Sequence, residues 1–410
     1  MRRNFWRFWP LIGKGAQEVE QLKQRYAVVG IGTTKQGKVP GRGALSFHVE
    51  ACANALQDAG LPPKAVDGLF LYRHFAPVGG DLDVSAFMAA EQLGIRPTAL
   101  SQETYCTRGW ITHAIGLLEA GFCNYVLISY GDNARSGHRS FVRELERGEA
   151  TDALAAYGDF STLAKYAMIA RRAMYETGTG PEVWKNIALC QRQFANLNPE
   201  AAMHEKVLTE ADYYASPYVV EPFRLLDATP TTDGGRAILI TSAERAKDLA
   251  KSPAYILGIG EANQPKSPGN MSLEDSRYAP MASSTMAFRM AGVTTKDIDA
   301  CEIYDCFTYT VEATLRDYGF FAWGESADFF VPARIGPGGS LPINTSGGML
   351  SEGYFMGLTP VVEAVRQLRG ECGDRQLGVF PGSNSPKLIL CSDNGGVLQS
   401  HATLILGKEG

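Results

Sequence analysis

The sequence contains no run of 18 apolar residues, so no transmembrane helix is expected. Eight cysteines are spread across 410 residues without a single C-x-x-C pair, which argues against a zinc ribbon and a disulfide framework. A reduced, cytoplasmic protein that carries no metal fits this usage. No Lys/Arg-rich stripe with interleaved aromatics occurs, and the net charge is −5, so a nucleic-acid partner is not expected. The basic, aromatic start of the chain lacks the apolar stretch of a signal peptide, and residues 1–25 are read as an N-terminal arm. The glycines at 30 and 32 do not form G-x-G-x-x-G and no helix opens after them, so a dinucleotide loop is not indicated.

What remains is an α/β pattern. Tyr26–Gly32 is a short apolar run that reads as a buried strand, and Leu45, Val49, Cys52, Ala53 and Leu56 recur at helical spacing until Gly60. Further strands are expected at 66–72, 99–102 and 124–130, with a helix over about 109–119 between the last two. Residues 131–229 differ in composition and read as a helical insertion, with helices near 160–176 and 181–196. Tyr255–Gly260 then echoes Tyr26–Gly32. Helices follow at 283–291, 308–319 and 358–368, and strands at 237–241, 300–304, 387–391 and 402–407. The same order of elements twice predicts two halves, 26–245 and 246–410.

Four segments carry a resemblance. Cys106, Thr107, Arg108 and Gly109 head a helix that ends at Gly121. Asp233-Gly-Gly235 leads into a core strand. Tyr304-Asp-Cys-Phe-Thr308 follows a strand. Asn344-Thr-Ser-Gly-Gly348 runs on to Gly353, Tyr354 and Gly357. In order and spacing the set resembles the thiolase superfamily, in its sterol-carrier-protein-type branch, and within that branch the steroid side-chain aldolases. The resemblance implies a five-layered αβαβα fold from two duplicated halves. It also implies a homodimer, a separate partner with a DUF35-type OB-fold domain, and CoA present only as part of the substrate, with no other cofactor.

The departures matter more. The family's catalytic histidine falls on Tyr354. A phenol with pKa near 10 cannot activate a thiol as an imidazole does. The nucleophilic cysteine falls on Cys106 only if C-x-x-G is kept; an ungapped count from Gly121 gives Thr104. Arg108 and Trp110 are bulky beside it, and Cys106 reads first as a buried thiol. Cys391 lies near the family's second cysteine but lacks C-x-G, and it reads the same way. In the steroid aldolases the tyrosines at the positions of Tyr304 and Tyr354 are the expected acid/base pair, provided a phenol's pKa is lowered locally. Asp305 is a candidate to orient a tyrosine or cap the helix after it. Asn344 is a candidate to shape its turn. Gly347, Gly348, Asn394 and Gly395 are candidates to bring N–H groups to an enolate oxygen. His48, His113 and His401 have no assigned role. The expected reaction is retro-aldol cleavage of a 3-hydroxyacyl-CoA, plausible for a 17-hydroxy C22 steroid thioester giving a ketone and propionyl-CoA. Two alternatives stay open: an acyltransferase with Cys106 as nucleophile, and a non-catalytic acyl-CoA or lipid binder.

Overall fold

The structure is a computed structural model that describes residues 20–72, 85–103, 107–137, 161–266 and 268–408. Residues 1–19, residues 138–160 of the expected insertion and Cys106 lie outside these. Among the described residues no helix is long and apolar enough to cross a membrane.

Nine strands form one sheet in the order β3-β2-β4-β7-β1-β8-β11-β10-β9. In the first half these are β1 (Tyr26–Thr33), β2 (Gly68–Tyr72), β3 (Ala99–Glu103), β4 (Tyr125–Asn133) and β7 (Asp233–Ser242). The second half supplies β8 (Ala254–Asn263), β9 (Ala300–Glu302), β10 (Leu388–Gly395) and β11 (Ser400–Gly407). A small hairpin, β5 (Tyr218–Val220) and β6 (Phe223–Arg224), stands apart. The pairing pattern occurs twice. β2 lies parallel to β4, which is antiparallel to β7, which is antiparallel to β1. β9 lies parallel to β10, which is antiparallel to β11, which is antiparallel to β8. A parallel bridge from Cys301 to Ile343 takes the place beside β9 that β3 takes beside β2. The halves join where β1 meets β8, Ala27 opposite Tyr255 and Val28 opposite Ala254.

Helices make the other layers. α1 (Ala44–Ala59) covers β1, β4 and β7 from outside; among the other N-terminal helices are α2 (Ala86–Leu93) and α3 (Thr107–Glu119). Between β4 and β7 run α4 (Thr162–Thr177) and α5 (Pro181–Asn196). α6 (Leu273–Ala291) covers β8 and β11; α7 (Thr308–Asp317), a short α8 (Gly348–Ser351) and α9 (Leu358–Arg369) follow. Both α3 and α9 touch strands of both halves, so they form the middle layer of five.

The paired glycines of β1 and β8 explain how the outer helices sit so close. A Cβ on Gly30 or Gly32 would lie 2.3 or 1.9 Å from the carbonyl oxygens of Ala55 and Ala51 in α1. On Gly258 or Gly260 it would lie 2.1 or 2.0 Å from those of Ala287 and Ser283 in α6. These glycines admit helix backbone, not a nucleotide.

α6 begins ten residues before the expected start. Its capping box of Ser272 and Asp275 sets that start, and Pro280 is held inside the helix. Its buried face carries Ser276, Ser283 and Ser284 among alanines, so apolar periodicity marks it weakly.

Candidate active site

The chain turns sharply after β9, and three ties fix the turn. Ile303 donates its N–H to Asn344 Oδ1 at 2.6 Å, and Asn344 Nδ2 donates back to the Ile303 carbonyl at 3.0 Å. Tyr304 donates its N–H to Ser392 Oγ at 3.0 Å. Thr310 Oγ1 shares its one hydrogen between the Phe307 carbonyl at 2.6 Å and the Tyr304 carbonyl at 3.1 Å. Asn344 itself sits at φ 56°, a left-handed conformation that asparagine tolerates. It is a clamp on the turn after β9.

Tyr354 arrives from the glycine-rich segment, with its N–H donated to Thr232 Oγ1 at 2.9 Å. Its ring meets the edge of Tyr130 at 6.2 Å between centroids, and Tyr130 donates to Asp132 Oδ2 at 3.1 Å. The two candidate phenols meet: Tyr304 Oη and Tyr354 Oη are 2.9 Å apart, their rings at 78°. Tyr304 is buried and Tyr354 half-buried. Burial, and then the neighbouring Tyr354, hold the Tyr304 phenol well above its ordinary value. This corrects the expectation of a locally lowered pKa: Tyr304 keeps its proton at neutral pH. In a pair of neutral phenols one donates to the other, and the acceptor's own O–H stays available to a third group.

Three candidates serve the turn instead of a substrate. Asp305 is fully buried and accepts from Met349 N at 2.9 Å and Leu350 N at 3.2 Å. It therefore caps α8, not the helix that follows it in sequence. Burial pushes its carboxyl up to about 7, against the pull of those two N–H groups. Gly348 leaves room for that carboxylate, since a Cβ there would lie 2.3 Å from Asp305 Oδ2. Gly347 makes room for α5, with Ala195 Cβ 2.6 Å from where its own would be. The Gly347 N–H is committed to the Asn344 carbonyl and the Gly348 N–H to Ser346 Oγ. Neither is a free oxyanion donor.

Cys391 is buried, its Sγ 3.7 Å from the Pro360 carbonyl, in the wall of a small cavity with Thr112, Gly357, Ser392 and Asp393. Burial, and then Glu302 and Cys301, hold its thiol well above the ordinary range. Gly395 pairs with Ser400 at the end of the β10–β11 ladder. Asn394, one residue earlier, is fully buried and its Oδ1 accepts from Tyr166 Oη at 2.8 Å. Cys106 lies outside the described residues.

The histidines find partners of their own. His48 Nδ1 lies 2.9 Å from Ser129 Oγ, and burial pushes the ring down to about 3, so it is neutral. His401 Nε2 lies 2.7 Å from Tyr318 Oη, and His113 stacks on Phe70. Sequence reasoning missed Thr232, Ser392, Tyr130 and Tyr166. Thr232 and Ser392 carried a signal, as Ser392 adjoins the candidate Cys391 and Thr232 adjoins the Asp233-Gly-Gly motif. Asp233 is the anchor there, receiving the N–H groups of Val39, Arg135 and Ser136.

Comparison with known proteins places this geometry. A family model described as "Thiolase C-terminal domain-like" matches residues 270–408. The 17-hydroxy-3-oxo-4-pregnene-20-carboxyl-CoA lyase of Mycobacterium tuberculosis is 32% identical over 374 residues, covering 87% of this chain and 95% of that one. The chain belongs to the SCP2-thiolase-like family of the steroid side-chain-cleaving aldolases. A second family member, the steroid side-chain-cleaving aldolase of Thermomonospora curvata, is 32% identical, with 84% of this chain and 90% of that one covered. The solved "Ltp2-ChsH2(DUF35) aldolase" superimposes with a TM-score of 0.83 at 32% identity, covering 95% of this chain and 99% of the other. The expected family and its five-layered fold are thus both found.

Proposed function

We propose that the protein is a retro-aldol lyase that cleaves the Cα–Cβ bond of a 3-hydroxyacyl-CoA, with the Tyr304–Tyr354 pair as a proton relay. The observation that carries this reading is the 2.9 Å bond between two phenols, one of them, Tyr354, at the position of the family's thiol-activating histidine. The overall reaction moves one proton from the substrate's β-hydroxyl to its Cα. As the Cα–Cβ bond breaks, its electron pair passes to Cα and the thioester oxygen, and the β-carbon becomes a carbonyl. One phenol takes the hydroxyl proton while the other delivers its own to Cα, and the bond between them closes the circuit. No free phenolate is needed at any stage. That suits a Tyr304 whose phenol is held above its ordinary value.

The substrate we infer is a 17-hydroxy C22 steroid thioester, cleaved to a 17-ketone and propionyl-CoA; the relative from Mycobacterium tuberculosis is named for such a lyase activity. CoA enters as part of the substrate, and no other cofactor takes part. A separate DUF35 polypeptide is the inferred partner, supported by the pairing named in the related aldolase structure. A homodimer in the cytoplasm completes the reading; β3 lies at the sheet edge, and α2 exposes Phe87 and Met88.

The test is incubation of the purified chain, alone and with a co-expressed DUF35 protein, with 3-hydroxyacyl-CoA thioesters, and mass spectrometry of the products. A ketone and a shortened acyl-CoA in equal amounts support the reading. Binding without turnover in every combination favours the acyl-CoA-binding alternative. A covalent acyl-enzyme that disappears in Cys106→Ser favours the acyltransferase.

A further inference from the structure

Asn394 holds half of its hydrogen-bonding capacity in reserve. Its Oδ1 accepts from Tyr166 Oη at 2.8 Å. Its Nδ2 is buried and has no partner among the described residues. Buried donors are almost always paired, and the described residues leave this amide N–H without an acceptor.

The location agrees. Side chains alternate along a strand, so Ser392 and Asn394 of β10 face the same side. Ser392 is the residue that receives the Tyr304 N–H at 3.0 Å. The Tyr166 ring packs on Phe307, three residues beyond Tyr304, at 4.8 Å between centroids. Its hydroxyl lies within electrostatic reach of the Tyr304 phenol. Tyr166 and Asn394 therefore stand near Tyr304, with Asn394 on the face of β10 that carries Ser392.

We propose that the Asn394 carboxamide, aimed by Tyr166, donates to the thioester oxygen of the substrate as the enolate forms. The proposal rests on the retro-aldol reading of the site and adds the donor that reading lacks once Gly347 and Gly348 are seen to be committed elsewhere. Asn394 gains and loses no proton: the electron pair of the broken bond is delocalised onto the thioester oxygen, and the amide N–H meets it there. Tyr166 is a positioning residue. Its O–H polarises the amide through Oδ1 and so strengthens the N–H on the other side. It comes from α4, in the segment between β4 and β7, so that segment sets the geometry of the donor.

The decisive probe is propionyl-CoA labelled with 13C at the thioester carbonyl, the short thioester the proposed reaction releases. Its carbonyl stretch, read by infrared difference spectroscopy, should move to lower frequency on binding to the wild type. The shift should vanish in Asn394→Ala and shrink in Tyr166→Phe, which keeps the ring on Phe307. With a cleavable substrate, kcat should fall about 10²-fold in Asn394→Ala, the usual loss for one oxyanion donor, while KM stays within a few-fold. Tyr166→Phe should lower kcat less, again with KM held. A carbonyl band that does not move in the wild type, or moves equally in all three proteins, overturns the proposal. So does an unchanged kcat in folded Tyr166→Phe and Asn394→Asp variants. A shifted band in a wild type that turns over no 3-hydroxyacyl-CoA would support the donor and sink the retro-aldol reading instead.

Discussion

Gly348 and Asp305 make one joint in the site, and a double-mutant cycle can measure it. In Gly348→Ala the new methyl would lie 2.3 Å from Asp305 Oδ2 and 2.9 Å from Asn344 Nδ2, on a residue with φ of +61°. The left-handed backbone alone costs about 1–2 kcal/mol for a non-glycine residue. The carboxylate must also move, and it is held by the N–H groups of Met349 and Leu350. At about pH 8.5, where a carboxyl pushed up to about 7 is ionised, a hydrogen bond to a charged group contributes about 1.5–3 kcal/mol, so losing one of these brings the expected cost of Gly348→Ala to about 2.5–5 kcal/mol. Asp305→Ala removes both bonds from the other side and opens the space the methyl needs. The double variant should therefore cost less than the sum of the singles, by about 2 kcal/mol or more. Chemical denaturation of the four proteins gives the number. Because Tyr304 precedes Asp305, turnover should fall in both single variants. Strictly additive stabilities would refute the claim that Gly348 is glycine to admit this carboxylate.

Two further outcomes follow from other buried groups. Thr345 Oγ1 lies 2.7 Å from Glu302 Oε1 and 2.9 Å from Glu363 Oε1, and it has one hydrogen to give. Glu363 is ionised against Arg375, so Glu302 supplies the second proton; burial, and then Glu363, hold its carboxyl well above the ordinary range. A carboxyl raised in the folded state favours folding at low pH and loses stability as pH rises above its unfolded value. Wild-type stability should thus decline relative to Glu302→Gln by up to about 1.4 kcal/mol per pH unit through the neutral range. Parallel pH profiles from denaturant titrations would contradict this, whatever constant offset the amide introduces. Cys391, buried and held protonated, should resist iodoacetamide at pH 8 in peptide mapping, and Cys391→Ala should keep its turnover. Labelling there with loss of activity would restore a thiol mechanism.

The sequence made some of this readable and hid the rest for physical reasons. Tyr304 and Tyr354 sit 50 residues apart in motifs whose spacing survives, so both could be named. Asn344 was legible as a turn-former because Thr345, Ser346 and two glycines follow it. The glycine pairs in β1 and β8 were visible as a repeat, but what they make room for is a helix backbone, which no local pattern encodes. The partner of Asp305 was misread because α8 lies more than 40 residues downstream, while a helix begins directly after it. Ser392, Thr232 and Tyr166 reach the site through pairings 88, 122 and 228 residues apart, which only the sheet order creates. The direction of the Tyr304 shift depends on burial, and that too is a property of the assembled layers.

The account rests on the two phenols acting as one unit, and turnover of Tyr304→Phe, Tyr354→Phe and the double variant tests it most directly. A relay loses its circuit when either member goes. Each single variant should lower kcat by about 10²-fold or more, and the double should be little worse than the poorer single. Losses that multiply in the double variant, or a single variant with full activity, would show that the tyrosines do not share the proton.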